Sequence, residues 1–360
     1  MSIKETVNTP HSPWMSAGGP ESDVVVSSRV RAARNLTGLP FPHLLSDEAA
    51  RRVFNSVGLA VEDKDFHHRF GHLELAEMGE LTPVERQILV EKHLISPDLL
   101  ENYQKKAVVL RDDEVISIMV NEEDHLRLQC ILPGLQLKEA WETVNRVDDS
   151  LEQTLEYAYD EKLGYLTACP TNAGTGLRAS VMLHLPGLVL INRIRDVLGS
   201  VSKLGLAVRG LYGEGTDASG NLFQVSNQVT LGQTEEDIIA ALISVTGQII
   251  ASERAAREAL VRERREQIDD RVGRAYGLLR YARIMPSEEA VRLLSDLRLG
   301  AVLGLLEDIP ASLVTELIVA IRPAFLVKRA GKELSALARD VIRAGLIRES
   351  LEKFGNQKGN

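Results

Sequence analysis

Residues 120–129 read VNEEDHLRLQ and place Glu122, Glu123, Asp124 and His125 one residue beyond VISIMV, an alternating apolar run with the pattern of a strand. Two readings fit this cluster: a solvated strand end or turn, and a strand that delivers carboxylates to a reaction centre. A guanidinium is planar, forked and permanently protonated, so making one of its nitrogens a nucleophile takes carboxylates that orient it and accept its proton. Glu122 and Glu123 are of the right type, and Glu214 lies in GLYGEGTDASG, a glycine-rich stretch able to close over a substrate or to serve as a plain connection.

Arginines stand beside small or strand-forming residues in the same part of the chain. Arg29 and Arg31 alternate in SSRVR and so share one face of a strand. Arg127 follows the acidic cluster, Arg178 sits in CPTNAGTGLRAS, and Arg209 precedes the glycine-rich stretch. Singly, each is an ordinary surface residue. Gathered on one surface they would repel one another until a polyphosphate turned them into forked donors to its oxygens, neutralising the charge that shifts in phosphoryl transfer. Spacing alone does not bring the five together.

The bulk of the chain sets limits on this chemistry. Its 360 residues are 44% hydrophobic and 26% charged, ordinary for a globular protein long enough for two domains. No stretch reaches the apolar length needed to span a bilayer, and MSIKETVNTPHSPWM lacks the apolar core of a signal peptide, so the expected location is cytoplasmic. Cys130 and Cys169 are too few for a disulfide scaffold and lack CxxC spacing. Residues 251–360 carry 20 Lys and Arg against 16 Asp and Glu, whereas the whole chain has a net charge of -9; this basic excess is too sparse for a nucleic-acid footprint.

Short alternating segments (VVVSSRVR, KAVVLRDDEVISIMV, HLRLQCIL, NLFQVSNQV) mix with helical ones up to about residue 228, an α+β signature. The run from Lys106 to Val120 predicts a hairpin around Asp112 and Asp113. Thr82-Pro83-Val84-Glu85 and Thr234-Glu235-Glu236-Asp237 predict helix starts. Beyond Thr234 the pattern is helical throughout: Ile268 to Ala282 on one face, a break at Met285-Pro286, a helix from Ser287 stopping at Gly300, another from Pro310 to Ile321, and a last one from Gly331 to Gly345. A domain boundary is placed near residue 250, inside or just after a long helix, giving a catalytic part over 1–250 and a helical part over 251–360 whose apolar stripes could also serve a dimer.

The segments VNEEDHLRLQ, CPTNAGTGLRAS, SSRVRAARN and RGLYGEG, in that family's order, resemble the catalytic domain of the phosphagen kinases, which phosphorylate guanidino compounds, over roughly residues 23–250. The resemblance implies an antiparallel sheet flanked by helices, related to the glutamine synthetase catalytic fold. It implies that Arg29, Arg31, Arg127, Arg178 and Arg209, with Ser27 and Ser28, hold ATP, and that Mg2+ is the cofactor accompanying it. It implies that Glu123 and Glu214 hold the guanidinium, with Glu123 as base, Glu122 beside it and Cys169 adjacent. Tyr212 stands where small-molecule arginine kinases have a second arginine, which puts the contacts of that loop in question.

Phosphagen kinases carry a helical domain before the SSRVR strand, and this sequence has about two dozen residues there, so a site open enough for a protein-borne arginine is expected. With the added helical C-terminal region, the chain resembles the bacterial protein arginine kinases of the McsB family over essentially its whole length. That resemblance implies protein substrates with exposed arginines, marking for a Clp-type ATPase and protease in a stress response, a zinc-binding activator protein, allosteric control and a homodimer. It also implies that RDVIRA binds phosphoarginine through Arg339, Asp340 and Arg343, where two arginines one turn apart suit a phosphoryl group. The alternatives are a small-molecule guanidino kinase and a phosphoarginine-binding adaptor.

Other motifs are set aside. Cys169 before Pro170 needs no covalent role in direct transfer, though a thiol near cations would be oxidation-sensitive. His67, His68 and His72 in FHHRFGH invite a metal, but nothing nearby completes a ligand set, so exposed loop histidines are expected. GTGLRA lacks the third glycine of a dinucleotide fingerprint, and P-loop, HRD and DFG motifs are absent from the sequence.

Overall fold

The computed structural model describes residues 2–210 and 219–355. Ten strands are present among them: β1 (Val25–Arg34), β2 (Leu73–Glu77), β3 (Ala107–Arg111), β4 (Ile116–Val120), β5 (Leu126–Pro133), β6 (Tyr159–Asp160), β7 (Gly164–Tyr165), β8 (Leu177–His184), β9 (Leu206–Gly210) and β10 (Leu222–Asn227). The helices before the boundary region are α1 (Ile3–Thr6), α2 (Asp47–Val61), α3 (Lys64–Phe70), α4 (Pro83–Glu91), α5 (Leu137–Glu152), α6 (Pro186–Leu190) and α7 (Ile194–Lys203). They are followed by α8 (Glu235–Glu263), α9 (Arg265–Tyr281), α10 (Ser287–Val302), α11 (Ala311–Ala320), α12 (Pro323–Ala330) and α13 (Ala336–Gly355).

Eight strands form one antiparallel sheet in the order β2-β3-β4-β5-β1-β8-β10-β9, so β1 is central and the NEEDH segment is the turn between β4 and β5. The expected α+β class and the helical region after Thr234 are both present. Thr82 caps α4 with a reciprocal capping box to Glu85, and Thr234 caps α8 through the Asp237 N–H.

The pleat gives the sheet two different faces. Val30, Ala32, Leu128, Cys130, Ala179 and Val181 point to a core covered by α2, α5 and α8. On the other face Ile131 and Met182 join a second core shared with α4, α10, α11 and α13, and the N-terminal residues Ile3, Val7, Trp14 and Met15 are buried in it. The helical region is therefore packed on the sheet. α8 passes through residue 250 without a break and ties the two parts together: Glu253 accepts the N–H groups of Gly187 and Leu188, while Arg254 and Arg257 reach Asp23 at the entry to β1.

Several expectations are corrected. Gly300 does not end α10. It lies inside the helix because a Cβ there would stand 2.4 Å from Val272 Cγ1, so it is a close-packing glycine between α9 and α10. Gly331 is the left-handed cap of α12, a helix that the pattern does not separate, and the last helix starts at Ala336 and runs past Gly345. His67 and His68 lie on α3 rather than in a loop, where capping by Asp63 makes a short helix. One helix, α8, is long and apolar enough to cross a bilayer, contrary to expectation. Its apolar positions Ile238, Ile239, Leu242, Val245, Ile249 and Ile250 are buried in the sheet core, which accounts for its composition.

Candidate active site

Strand register gathers the arginines. Across β1, Arg29 stands opposite Ile131 and Ser180, Arg31 opposite Gln129 and Arg178, and Ala33 opposite Arg127. Farther along the sheet Gln224 stands opposite Met182 and Arg209. Directly opposed residues share a face and alternate residues repeat it, so Arg29, Arg31, Arg127, Arg178 and Arg209 all project from the same side. All five line one cavity of about 450 Å³, together with Glu123, Asp98, Cys169, Gly176 and Gln224.

Five guanidinium groups in this proximity carry a cost. Burial, with Arg29, Arg127 and Arg178 adding repulsion, drives the Arg31 guanidinium well below its usual range, and Glu122 only partly offsets this. Burial also lowers Arg178, assisted by Arg209 and Arg127. The Arg31 Nε is buried with no hydrogen-bond partner. An orphaned donor among mutually repelling cations is the signature of a polyanion site, and it fits the oxygens of a nucleotide triphosphate.

The NEEDH turn divides its labour. Asp124 is fully buried and accepts Asn35 Nδ2 at 2.6 Å and the Ala168 N–H at 2.7 Å, so it clamps the Cys169 segment to the turn. His125 accepts the Leu36 N–H at Nδ1 and donates from Nε2 to the Pro40 carbonyl, a neutral tautomer consistent with its burial-lowered pKa. These two residues are struts. Glu122 is buried, bonded to the Ser96 hydroxyl and to Arg127 at 2.7 Å. Glu123 is the half-exposed member, 2.8 Å from the other arm of the Arg127 fork. Burial raises the Glu123 pKa, Arg127 opposes this, and Asp124 and Glu122 add to it. A carboxylate with raised proton affinity at the edge of a cavity suits a general base.

The remaining sequence candidates fall as follows. The Cys169 thiol lies 3.0 Å from Thr171 Oγ1 and close enough to Glu123 to lower its proton affinity. Gly176, at φ +65°, is required because a Cβ would meet Ala33 O at 2.6 Å and Arg34 Nη1 at 2.7 Å. Ser27 and Ser28 line neither this cavity nor its neighbour; Ser28 Oγ instead bonds Gly134 O and the Gln136 N–H. Glu214 and Tyr212 lie outside the described residues. On α13, Arg343 is buried and donates to Met285 O, Ile321 O and Asp340, while Arg339 is half-buried. Among the described residues no group of three metal-ligating side chains comes together.

Motif reading misses a second cavity of about 460 Å³ that shares Arg29 and Arg31 with the first. Its walls include Val90, Ile95, Met119 and His93 from the sheet side and Arg322 and Pro323 from the helical region. Burial with Arg29 and Arg322 holds His93 at about 3, so it is a neutral imidazole. Glu91, also here, accepts the Ala324 N–H at the start of α12 and is pushed up to about 7 by burial. Raised above the usual carboxylate value near 4.3 in an unfolded chain, it favours the fold in its protonated form. Its contribution is complete at about pH 4 and is lost as pH rises through about 7, a swing on the order of 3 kcal/mol. Glu91→Gln should therefore flatten the fall in melting temperature between about pH 4.5 and about pH 7, as measured by calorimetry; parallel curves would refute this.

The class follows from this geometry and from comparison. Residues 55–256 match the ATP:guanido phosphotransferase C-terminal catalytic domain. A lombricine kinase structure superposes with a TM-score of 0.57 at 25% identity, covering 70% of this chain and 75% of that one. The duplicated taurocyamine kinase from Schistosoma mansoni, with bound transition state analog components, gives 0.59 at 23% identity over 71% of this chain and 37% of that one, and shows the fold alone. The chain is thus a guanidino-directed phosphotransferase in fold and site.

Residues 265–360 match the protein-arginine kinase McsB C-terminal domain. The protein-arginine kinase of Pelotomaculum thermopropionicum is 64% identical over 97% of this chain and 98% of its own length, and that of Desulforamulus reducens 62% identical over 99% and 100%. The chain belongs to the protein-arginine kinase family.

Proposed function

We propose that the chain transfers the γ-phosphoryl group of ATP to the guanidinium of arginine residues in proteins. The observation that carries this reading is the convergence of five arginines with the base-like Glu123 in one cavity. The arginine set binds the triphosphate; the adjoining cavity, with apolar walls and neutral His93, takes the base and ribose. Magnesium enters with the nucleotide as Mg-ATP, held by phosphate oxygens and water, as suits an ion that gives up its hydration reluctantly. Glu123 orients the target guanidinium and takes its proton as the N–P bond forms. The bond from the γ-phosphorus to the bridging oxygen breaks, and ADP leaves with that electron pair. Glu214 is assigned as the second carboxylate on the guanidinium, with Glu122 and Cys169 flanking.

The same proposal extends to the setting: cytoplasmic action, marking of proteins for a Clp-type ATPase, a zinc-binding activator and phosphoarginine recognition around Arg339, Asp340 and Arg343. It includes a homodimer. Leu278, Tyr281 and Ile284 at the end of α9 and Leu337 and Val341 on α13 are exposed apolar residues, and the Met285 N–H to Asp340 carbonyl bond holds the two segments together. Tyr281→Glu should lower the mass measured by light scattering from two chains to one. An unchanged dimer would place the interface elsewhere.

The reading is tested by supplying Mg-ATP with either free arginine or unfolded casein. Phosphate on casein is expected; transfer to free arginine alone would make this a small-molecule guanidino kinase, and binding of phosphoarginine without transfer would make it an adaptor.

A further inference from the structure

A third cavity, of about 690 Å³, meets the arginine cavity at Glu123 and Asp98. Its inner end holds the buried Asn121 and Glu122 beside the half-exposed Glu123, and its exposed mouth holds His43, Glu101, Gln104 and Lys105. A volume of this size suits a ligand of several residues rather than one guanidino group.

Two independent features describe that ligand. The first is an unmet acceptor. Asn121 is 2% exposed, its Nδ2 donates to Ala50 O and Lys105 O, and this leaves Oδ1 buried with no partner. The orientation of the amide is thereby set, and Oδ1 is available only to an incoming donor such as a backbone N–H. The second is charge. Lys105 is neutralised by Asp47 at 2.6 Å, and Glu122 by Arg127. Lys106 spends a hydrogen bond on the Asp98 carbonyl and faces the carboxylates of Glu122, Glu101 and Asp98 together. Neither Asp98 nor Glu101 has an ion pair within 4.0 Å among the described residues, so the mouth keeps an acidic excess.

We propose that this chamber holds the polypeptide on either side of the target arginine, with Asn121 Oδ1 accepting a backbone N–H and Glu101 selecting a second basic residue close to the target. The inference rests on the protein-arginine kinase reading and adds the class of sequence preferred. Glu101 is exposed and lies outside the arginine cavity, so it biases choice among substrates without acting on the reacting atoms.

The test uses the full-length protein, Mg-ATP and two matched peptides, each with one arginine flanked by either neutral residues or lysines. The ratio of kcat/KM values, lysine-flanked over neutral, should be about two- to fivefold in the wild type, the range of a solvent-exposed charge pair. It should fall to about one in Glu101→Gln, drop below one in Glu101→Lys, and shrink as salt is raised. Equal ratios in the wild type and both variants overturn the selectivity and leave the protein-arginine kinase reading standing. Transfer to free arginine but to neither peptide overturns that reading as well.

Discussion

Glu123→Gln should abolish phosphoryl transfer, lowering kcat by about two to four orders of magnitude, the range for loss of a positioned general base. Nucleotide affinity should not fall. In the structure one arm of the Arg127 fork is held by Glu123 at 2.8 Å, so an incoming triphosphate competes with that carboxylate for the same donor. A neutral amide at 123 weakens the competition, and Mg-ATP should bind the variant at least as tightly when titrated calorimetrically. Glu123 is also the group whose proton affinity the surroundings raise, through burial and through Asp124 and Glu122. Substantial residual turnover would move the base elsewhere, and a parallel loss of ATP binding would make Glu123 a structural support.

Arg178→Ala should have the second-largest effect, costing about 10²- to 10³-fold in kcat/KM, as removal of one preorganised donor to developing charge does elsewhere. Its effect on stability should have the opposite sign to that of a typical buried truncation. Arg178 stands directly across the ladder from Arg31, and both are lowered by burial and by neighbouring guanidinium groups. Without nucleotide the variant should melt no earlier than the wild type, and saturating Mg-ATP should raise its melting temperature less. A lower melting temperature without nucleotide would show that Arg178 supports the fold, contrary to this account. The contrast is Arg34, buried on β1 at 2.5 Å from Asp148, where loss of one partner strands the other and costs about 3–5 kcal/mol.

What could be read in the sequence depended on how local each feature is. Alternation put Arg29 and Arg31 on one face, and the capping residues Thr82 and Thr234 marked their helices, because those signals lie within one element. The convergence of Arg127, Arg178 and Arg209 with them is a property of cross-strand register, set by pairing between distant segments such as β1 and β8, and local pattern carries no trace of it. The four consecutive ionisable residues posed a choice between a solvated turn and a site. The structure gives a turn, but a buried one, in which Asp124 and His125 are hydrogen-bonded struts and Glu122 and Glu123 face the cavities. Local pattern makes Gly300 the stop of one helix and Gly331 the start of another, and neither holds. Only packing distinguishes them, since one admits Val272 and the other adopts φ +65°. His93, Glu91 and Arg322 belong to no motif and meet only because α12 packs against α4, so nothing local announced the second cavity.

The most direct measurement is of the bond made. Casein incubated with the protein and Mg-ATP should be mapped by mass spectrometry at neutral pH, with a parallel sample first held in acid. Phosphate on arginine side chains that disappears after acid treatment is expected, because a P–N bond hydrolyses where a phosphate ester persists. Acid-stable phosphate on serine, threonine or tyrosine would contradict it.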